Sequence, residues 1–223
     1  MTATTIPGEG AWTFEDANVA DTFDRHVREQ LPWYDLATGA VAQIAWHYVG
    51  PSGLVYDIGA STGNIGRALE PILSARSADL VSIEASAEMA AKWSAPGVLE
   101  VARAESYDYA PFDLAVCFLA LMFLRVDDAH ALLARLYSRM LAGSALIVVE
   151  RTLPLAGYPG VITSRMTLSA KRTAGASDEE IVSKELSLAG VQRPLDPAVL
   201  ARYGAVEFLR FGDFAGYLIE APK

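Results

Sequence analysis

Val55-Tyr-Asp-Ile-Gly-Ala-Ser-Thr-Gly-Asn-Ile-Gly66, VYDIGASTGNIG, sets three glycines behind a short apolar run that begins at Leu54. LVYDIG is continuously apolar rather than alternating, which predicts a strand buried on both faces of a parallel sheet. Asn64 to about Leu73 predicts the helix that follows. A strand-to-helix turn at the carboxyl end of a strand is where an open α/β sheet brings its backbone closest to a ligand. Gly59 permits a tight turn with positive φ, Gly63 lets the backbone approach the ligand, and the first helical N–H groups offer donors. Asp57, just ahead of Gly59, repels a pyrophosphate but accepts hydrogen bonds, directly or through water, from a cationic amino-acid group.

The alternation continues on both sides. LVSIEA predicts a second strand that ends at Glu84 and Ala85, with Glu84 lying 25 residues beyond Gly59. An acid about 20 residues past such glycines is the usual partner of a ribose diol. Ala87 to Trp93 reads as a helix, VLEVA as a weaker strand and FDLAVCFLA as another strand. Ala129 to Met140 reads as a helix with Leu132, Leu133 and Leu136 on one face, and SALIVVE as a strand after Ala142-Gly143. Such alternation implies right-handed βαβ units and a sheet covered on both faces. VEFLRFGDFAGYLIEAP closes the chain as two strands joined by a Gly-Asp turn, an antiparallel hairpin at the sheet. Ahead of the first strand, Val19, Phe23, Val27 and Leu31, then Leu36, Val41, Ile44, Ala45 and Tyr48, recur at helical spacing and break at Pro32. The expected organisation is a flexible segment over 1–13 and one domain over 14–223. Within that domain, 14–50 forms a helical cover, and the polar stretch 151–192, too long for an ordinary connection, forms a lid.

A chain of 223 residues with 52% hydrophobic and 20% charged positions is long enough to bury a full core. Its formal charge of −9 opposes a general role as a polyanion binder, since carboxylates repel phosphates across a Debye length of ~10 Å. Cys117 is the single cysteine, which excludes an intramolecular disulfide and a cysteine-only metal cluster and fits a reducing compartment. Set in LAVCFLALMFL, it reads as a core filler. No apolar run approaches the ~20 residues that span a bilayer, and MTATTIPGEG lacks the charged and apolar regions of a signal peptide. The expectation is a cytoplasmic protein without membrane association.

Asp57, Gly59 and Gly63, with Ser61 in the middle glycine position, resemble the D/E-x-G-x-G-x-G turn of class I S-adenosylmethionine-dependent methyltransferases. WTFEDANVADTF, Pro32-Trp33-Tyr34, VYDIGASTG, LMFL, GSALIVVE, GASDEEIVSKELSL and FGDFAGYLI narrow the resemblance to the carboxy-S-adenosylmethionine synthases, which modify a cofactor of a tRNA wobble-uridine pathway. The resemblance implies a Rossmann-like, mainly parallel seven-stranded sheet. Gly59, Ala60 and Ser61 then match the turn at the methionine end of the cofactor, Asp57 the leading acid, Glu84 the ribose acid and Tyr34 the tyrosine that covers the cofactor. For the adenine side, VARAESYDY offers Glu105 and Asp108, of which Glu105 is preferred. A family asparagine falls near Cys117 and Phe118, which lack its amide. The lid arginine that holds the transferred carboxylate in the synthases aligns with Glu185, a charge reversal that repels such a group. Lys184 is expected on another side of that helix, and Arg165, Lys171, Arg172 and His26 are the basic residues that could compensate. The related synthases form dimers, which implies a homodimer here.

Other residues leave alternatives open. His26 sits on the helix leading to Tyr34, where it is either a general base or a solvated surface residue. Trp33 and Tyr34 either stack on a ligand sulfonium or adenine, or plug the core edge. His47 reads as a packing histidine, and the three histidines show no metal-ligand spacing. The basic residues of RMTLSAKR read by default as a solvated face, so nucleic acid is a weaker prospect than a small molecule. The expected function is methyl transfer from S-adenosylmethionine to a small-molecule or nucleotide-like acceptor. Its rivals are a carboxy-S-adenosylmethionine synthase, using prephenate and a compensating basic residue, and a catalytically idle cofactor-binding partner subunit. The bound group could equally be S-adenosylhomocysteine or carboxy-S-adenosylmethionine.

Overall fold

A computed structural model describes residues 17–222. The expectations for 1–13, for Phe14 and for the opening of WTFEDANVADTF lie outside the described residues. The first strand, β1 (Leu54–Ile58), leaves a turn in which Ser52 adopts φ 56° and the Gly53 N–H bonds the Gly50 carbonyl at 3.1 Å. Parallel neighbours flank it on both sides, β2 (Asp79–Glu84) on one and β4 (Phe112–Phe118) on the other. Beyond them lie β3 (Val98–Val101), β5 (Met140–Arg151), β7 (Phe214–Glu220) and β6 (Val206–Phe211), giving the seven-stranded order β3-β2-β1-β4-β5-β7-β6. β7 runs antiparallel to both β5 and β6, so the expected hairpin enters with its second strand innermost. Strand order reverses between β1 and β4, which opens a crevice at their carboxyl ends.

Each strand feeds two cores because successive side chains point to opposite faces. Val55, Leu80, Leu114, Val116 and Ile147 pack beneath α2 (Tyr34–Tyr48) and α3 (Asn64–Arg76). Tyr56, Ile83, Ala115, Cys117 and Leu146 pack beneath α5 (Val126–Arg139) and the short α8 (Pro197–Ala201). Cys117 is fully buried there, as its apolar neighbours imply. α1 (Ala17–Gln30) stops short of Pro32, whose ring disfavours helical backbone at the residue before it.

Several boundaries differ from the sequence reading. α5 begins at Val126 rather than Ala129, taking Asp127 and Asp128 into its first turn, where acids complement the helix dipole. β5 begins at Met140 rather than after Gly143, because Met140 pairs with Phe112 ahead of an irregularity that absorbs Ala142-Gly143. α4 (Ala87–Ala90) ends well before Trp93. His47 is exposed on the last turn of α2, not packed.

Two helices follow β5, α6 (Gly157–Thr173) and α7 (Asp178–Ser187). The turn between β6 and β7 holds α6: Ser164 Oγ donates to Asp213 at 3.0 Å, and the Asp213 N–H donates to Thr167 Oγ1 at 3.3 Å. Gly212 fits against Thr167 so closely that a Cβ would stand 1.9 Å from its hydroxyl. α7 starts with a capping box between Ser177 and Glu180, which satisfies N–H groups at its start.

Candidate cofactor and acceptor site

Beyond the carboxyl ends of β1, β2, β4 and β5 lies a cavity of about 660 Å³, within the range of sites for drug-sized ligands. Its floor is the glycine turn. Gly59 has φ 72°, and a Cβ there would stand 2.6 Å from the Ala120 Cβ, so glycine is needed both for conformation and for space. Ser61 adopts φ 52°, a left-handed conformation that costs a serine about 1–2 kcal/mol relative to glycine. Gly63, at φ 91°, caps α3, but its crowding comes from Ala95 and Ser94, and it does not line the cavity. The room expected there for a ligand is taken up by the segment after α4.

Three carboxylates close apolar strands at this edge. Asp57 is 1% exposed; burial and the nearby Glu84 raise its pKa to about 7, against a lowering bond from the Gly66 N–H. Its Oδ2 has no hydrogen-bond partner among the described residues. Glu84 bridges two loops, accepting the Ser61 N–H on Oε2 and the Ser86 N–H on Oε1, both at 2.8 Å. Glu150, fully buried, accepts backbone N–H groups of Ala120, Leu121 and Met122 at 2.8, 2.7 and 3.3 Å. Burial pushes its carboxyl up to about 8 despite those three donors. The sequence reading passed over Glu150, although IVVE ends in an acid just as LVYD and LVSIE do.

The cavity brings together His26, Tyr34, Asp57, Gly59, Ala60, Ser61, Glu84, Ala85, Glu105, Phe118 and Glu185. Tyr34 meets Phe118 edge to face at 5.2 Å, with the Arg28 guanidinium 5.3 Å from its ring centre. Burial drives the Tyr34 phenol well above its ordinary pKa, so it stays protonated. Trp33 takes the other alternative and packs on Phe214, ring centres 5.0 Å apart, away from the cavity. Glu105 sits beside Ala104 on the wall and pairs with Arg103. His26 is half-buried, its Nε2 without a partner among the described residues, and burial followed by the Lys184 charge lowers its pKa.

Arg165 and Arg172 do not reach this site. Arg165 is exposed on α6, and Arg172 turns outward to pair with Asp178 at 2.8 Å. Lys171, one position earlier, points inward and bonds Glu185 at 2.8 Å. Arg151 holds the other Glu185 oxygen at 3.0 Å and Gln192 at 3.0 Å. Burial alone would raise the Glu185 carboxyl, but these two cations outweigh it and leave it below its ordinary range. Lys184, expected on another side of α7, lines the cavity with Glu185, because the wall spans both; burial and Lys171 bring its ammonium down to about 8.

A polar clasp seats α1 over the glycine turn. Asp24 accepts from Thr62 Oγ1 at 2.5 Å and Asn64 Nδ2 at 2.8 Å, and pairs with Arg67 at 2.9 Å. Arg28 adds a bond to Asn64 at 3.2 Å. These partners lie about 40 residues apart in the chain, so sequence spacing carries no signal for them.

No protein-family model matches the chain. It is homologous to a carboxy-S-adenosyl-L-methionine synthase of Staphylococcus epidermidis, 28% identical over 189 residues that cover 82% of each chain. Among solved structures, human N-acetylserotonin methyltransferase, solved with S-adenosylmethionine, aligns with a TM-score of 0.60 at 12% identity. The match covers 98% of this chain but only 61% of that enzyme, so this chain spans less than two thirds of its length. An S-adenosylmethionine-dependent methyltransferase homologue from Methanococcus maripaludis aligns with a TM-score of 0.57 at 13% identity, covering 95% of this chain and 96% of that one. The fold is that of the class I S-adenosylmethionine-dependent methyltransferases. Among the described residues no helix is long and apolar enough to cross a membrane.

Proposed function

We propose that the protein is an S-adenosylmethionine-dependent methyltransferase acting on a small-molecule or nucleotide-like acceptor. The observation that carries this reading is the joint edge of the cavity: a glycine turn, a buried Asp57 with an unpartnered oxygen, and Glu84 bridging the first two strand ends. These residues fit the cofactor. Asp57 suits its ammonium end, each Glu84 oxygen keeps a second lone pair for ribose hydroxyls, and Glu105 and Phe118 suit the adenine side. Tyr34, protonated and buried against Phe118, forms a wall over the ligand. The cofactor supplies the electrophile, a methyl group on a sulfonium.

The chain's own residues then need chiefly to align the acceptor and exclude water. α1 covers the turn through the Asp24 clasp, and α7 covers the far end through Glu185, Arg151 and Lys171. His26 lines the cavity, burial and Lys184 favour its neutral imidazole, and it is the candidate general base toward an acceptor hydroxyl or amine. The domain boundaries of the sequence reading, with a cover over 14–50 and a lid over 151–192, are part of this proposal.

One observation favours carboxy-S-adenosylmethionine synthesis as the second reading. Lys171, Lys184 and Arg151 line the same end as Glu185, where the synthases are expected to hold a carboxylate, and a homologue carries that name. Mass spectrometry of the ligand that co-purifies with the protein separates the two. S-adenosylmethionine or S-adenosylhomocysteine supports the methyltransferase, and a cofactor heavier by one carboxylate overturns it. Release of S-adenosylhomocysteine with an acceptor pool distinguishes either from an idle binding subunit.

A further inference from the structure

We propose that Glu150 is a positioning residue for the cofactor, gripping the loop after β4 so that it stands against Gly59 and sets the gap between the two loops that flank the ligand. This rests on the reading that the cavity takes S-adenosylmethionine. Residues 118–124 all line the cavity, and the loop they form is irregular: Leu119 has φ 56°, and Leu121–Phe123 make a single tight turn. A loop of this kind supplies no regular ladder for its N–H groups. Three consecutive ones, at Ala120, Leu121 and Met122, instead converge on the Glu150 carboxylate.

Glu150 itself cannot shift. It lies within β5, paired across to Ala215 of β7, and is completely buried. On the far side of the loop, Ala120 is the residue that Gly59 accommodates, with room too small for one added carbon. The Arg193 N–H bonds the Met122 carbonyl at 2.7 Å and fixes the end of the turn. The loop is therefore held between the Glu150 carboxyl group on β5 and the glycine turn on β1. A change at Glu150 is transmitted to the ligand through Ala120 and Gly59 without Glu150 touching the ligand.

The test compares Glu150→Leu, of similar volume but without acceptors, with Glu150→Gln, which keeps one carbonyl oxygen for the Ala120 and Leu121 N–H groups. The readouts are S-adenosylhomocysteine affinity by calorimetry, melting temperature, and amide hydrogen exchange at residues 120–122 with and without that ligand. Glu150→Leu is expected to weaken binding about tenfold or more and to expose those amides to fast exchange, because three N–H groups lose their acceptor. Glu150→Gln is expected to restore affinity to within about threefold and to restore most of the protection. If Glu150→Leu does not fold, Ala120→Val keeps the question open to refutation. Its added methyls press on Gly59, force the loop away from Glu150 and are expected to produce the same loss. A folded Glu150→Leu, or failing that Ala120→Val, that binds within about twofold of wild type overturns the proposal. Failure of wild type to bind S-adenosylhomocysteine instead overturns the cofactor reading, and the proposal falls with it.

Discussion

Replacing Glu84 by alanine removes two structural hydrogen bonds and, on the proposed reading, the ribose contact as well. The Ser61 and Ser86 N–H groups each donate to its carboxylate at 2.8 Å. Bonds to a charged acceptor contribute about 1.5–3 kcal/mol each in partly buried settings, although water takes over part of this role when the acceptor is removed. The Ser61 bond bears most directly on the site, because Ser61 already holds a left-handed conformation at φ 52° that the bond helps to retain. Together with loss of the proposed ribose acceptor, Glu84→Ala is expected to weaken S-adenosylhomocysteine binding by about 1–3 kcal/mol, or roughly 5- to 150-fold. Isothermal titration calorimetry reads the affinity, and hydrogen exchange at the Ser61 amide reads the turn. Glu84→Gln, which keeps a single acceptor, is expected to fall between. Affinity unchanged in Glu84→Ala would remove Glu84 from the site and refute the reasoning from the bridged loops.

Ser61→Gly is expected to leave the melting temperature and affinity nearly unchanged, since relief of about 1–2 kcal/mol of left-handed strain offsets the backbone entropy of glycine. A loss of affinity beyond about tenfold would instead make the hydroxyl a ligand. For Asp57, burial raises the folded pKa to about 7, so the carboxyl is protonated below that pH and must ionise to receive an ammonium group. Calorimetry from pH 8 to pH 6 is expected to find affinity falling by up to about tenfold per pH unit below 7, with Asp57→Asn weak and flat across the same range. A wild-type affinity that does not fall would remove the charge from the interaction. Glu185→Arg is expected to lower the melting temperature by setting a third cation against Arg151 and Lys171, and to give no gain of carboxyl transfer. Glu185 has a lowered folded pKa, so its stabilisation is present above the ordinary carboxylate range and lost as pH falls through that lowered value. A melting temperature for Glu185→Arg equal to wild type would show that the ion cluster does not hold α7.

β1, β2 and β5 were legible in the sequence because each carries an apolar run closed by an acid or glycine, a pattern that burial within the sheet imposes. Asp57 and Glu84 could be read for the same reason, and Glu150 carried the same signal without being singled out. Periodicity does not specify which side of a helix faces a cavity that several segments build. Lys171 turns in and Arg172 out, though they are adjacent and alike in charge. Gly63 was legible as a glycine under constraint, but the constraint is a protein segment at Ser94 and Ala95 rather than a ligand. The Glu185 reversal looked like a missing cation when taken alone. Arg151, 34 residues earlier, and Lys171 supply two cations that local sequence could not attach to it.

The crystal structure of the protein grown with S-adenosylhomocysteine tests the central claim most directly. Ligand density is expected in the cavity bounded by Asp57, Gly59 and Glu84, with the ribose hydroxyls against Glu84 and the amino group towards Asp57. Density for the ligand anywhere else, or an empty cavity at saturating ligand, would contradict it.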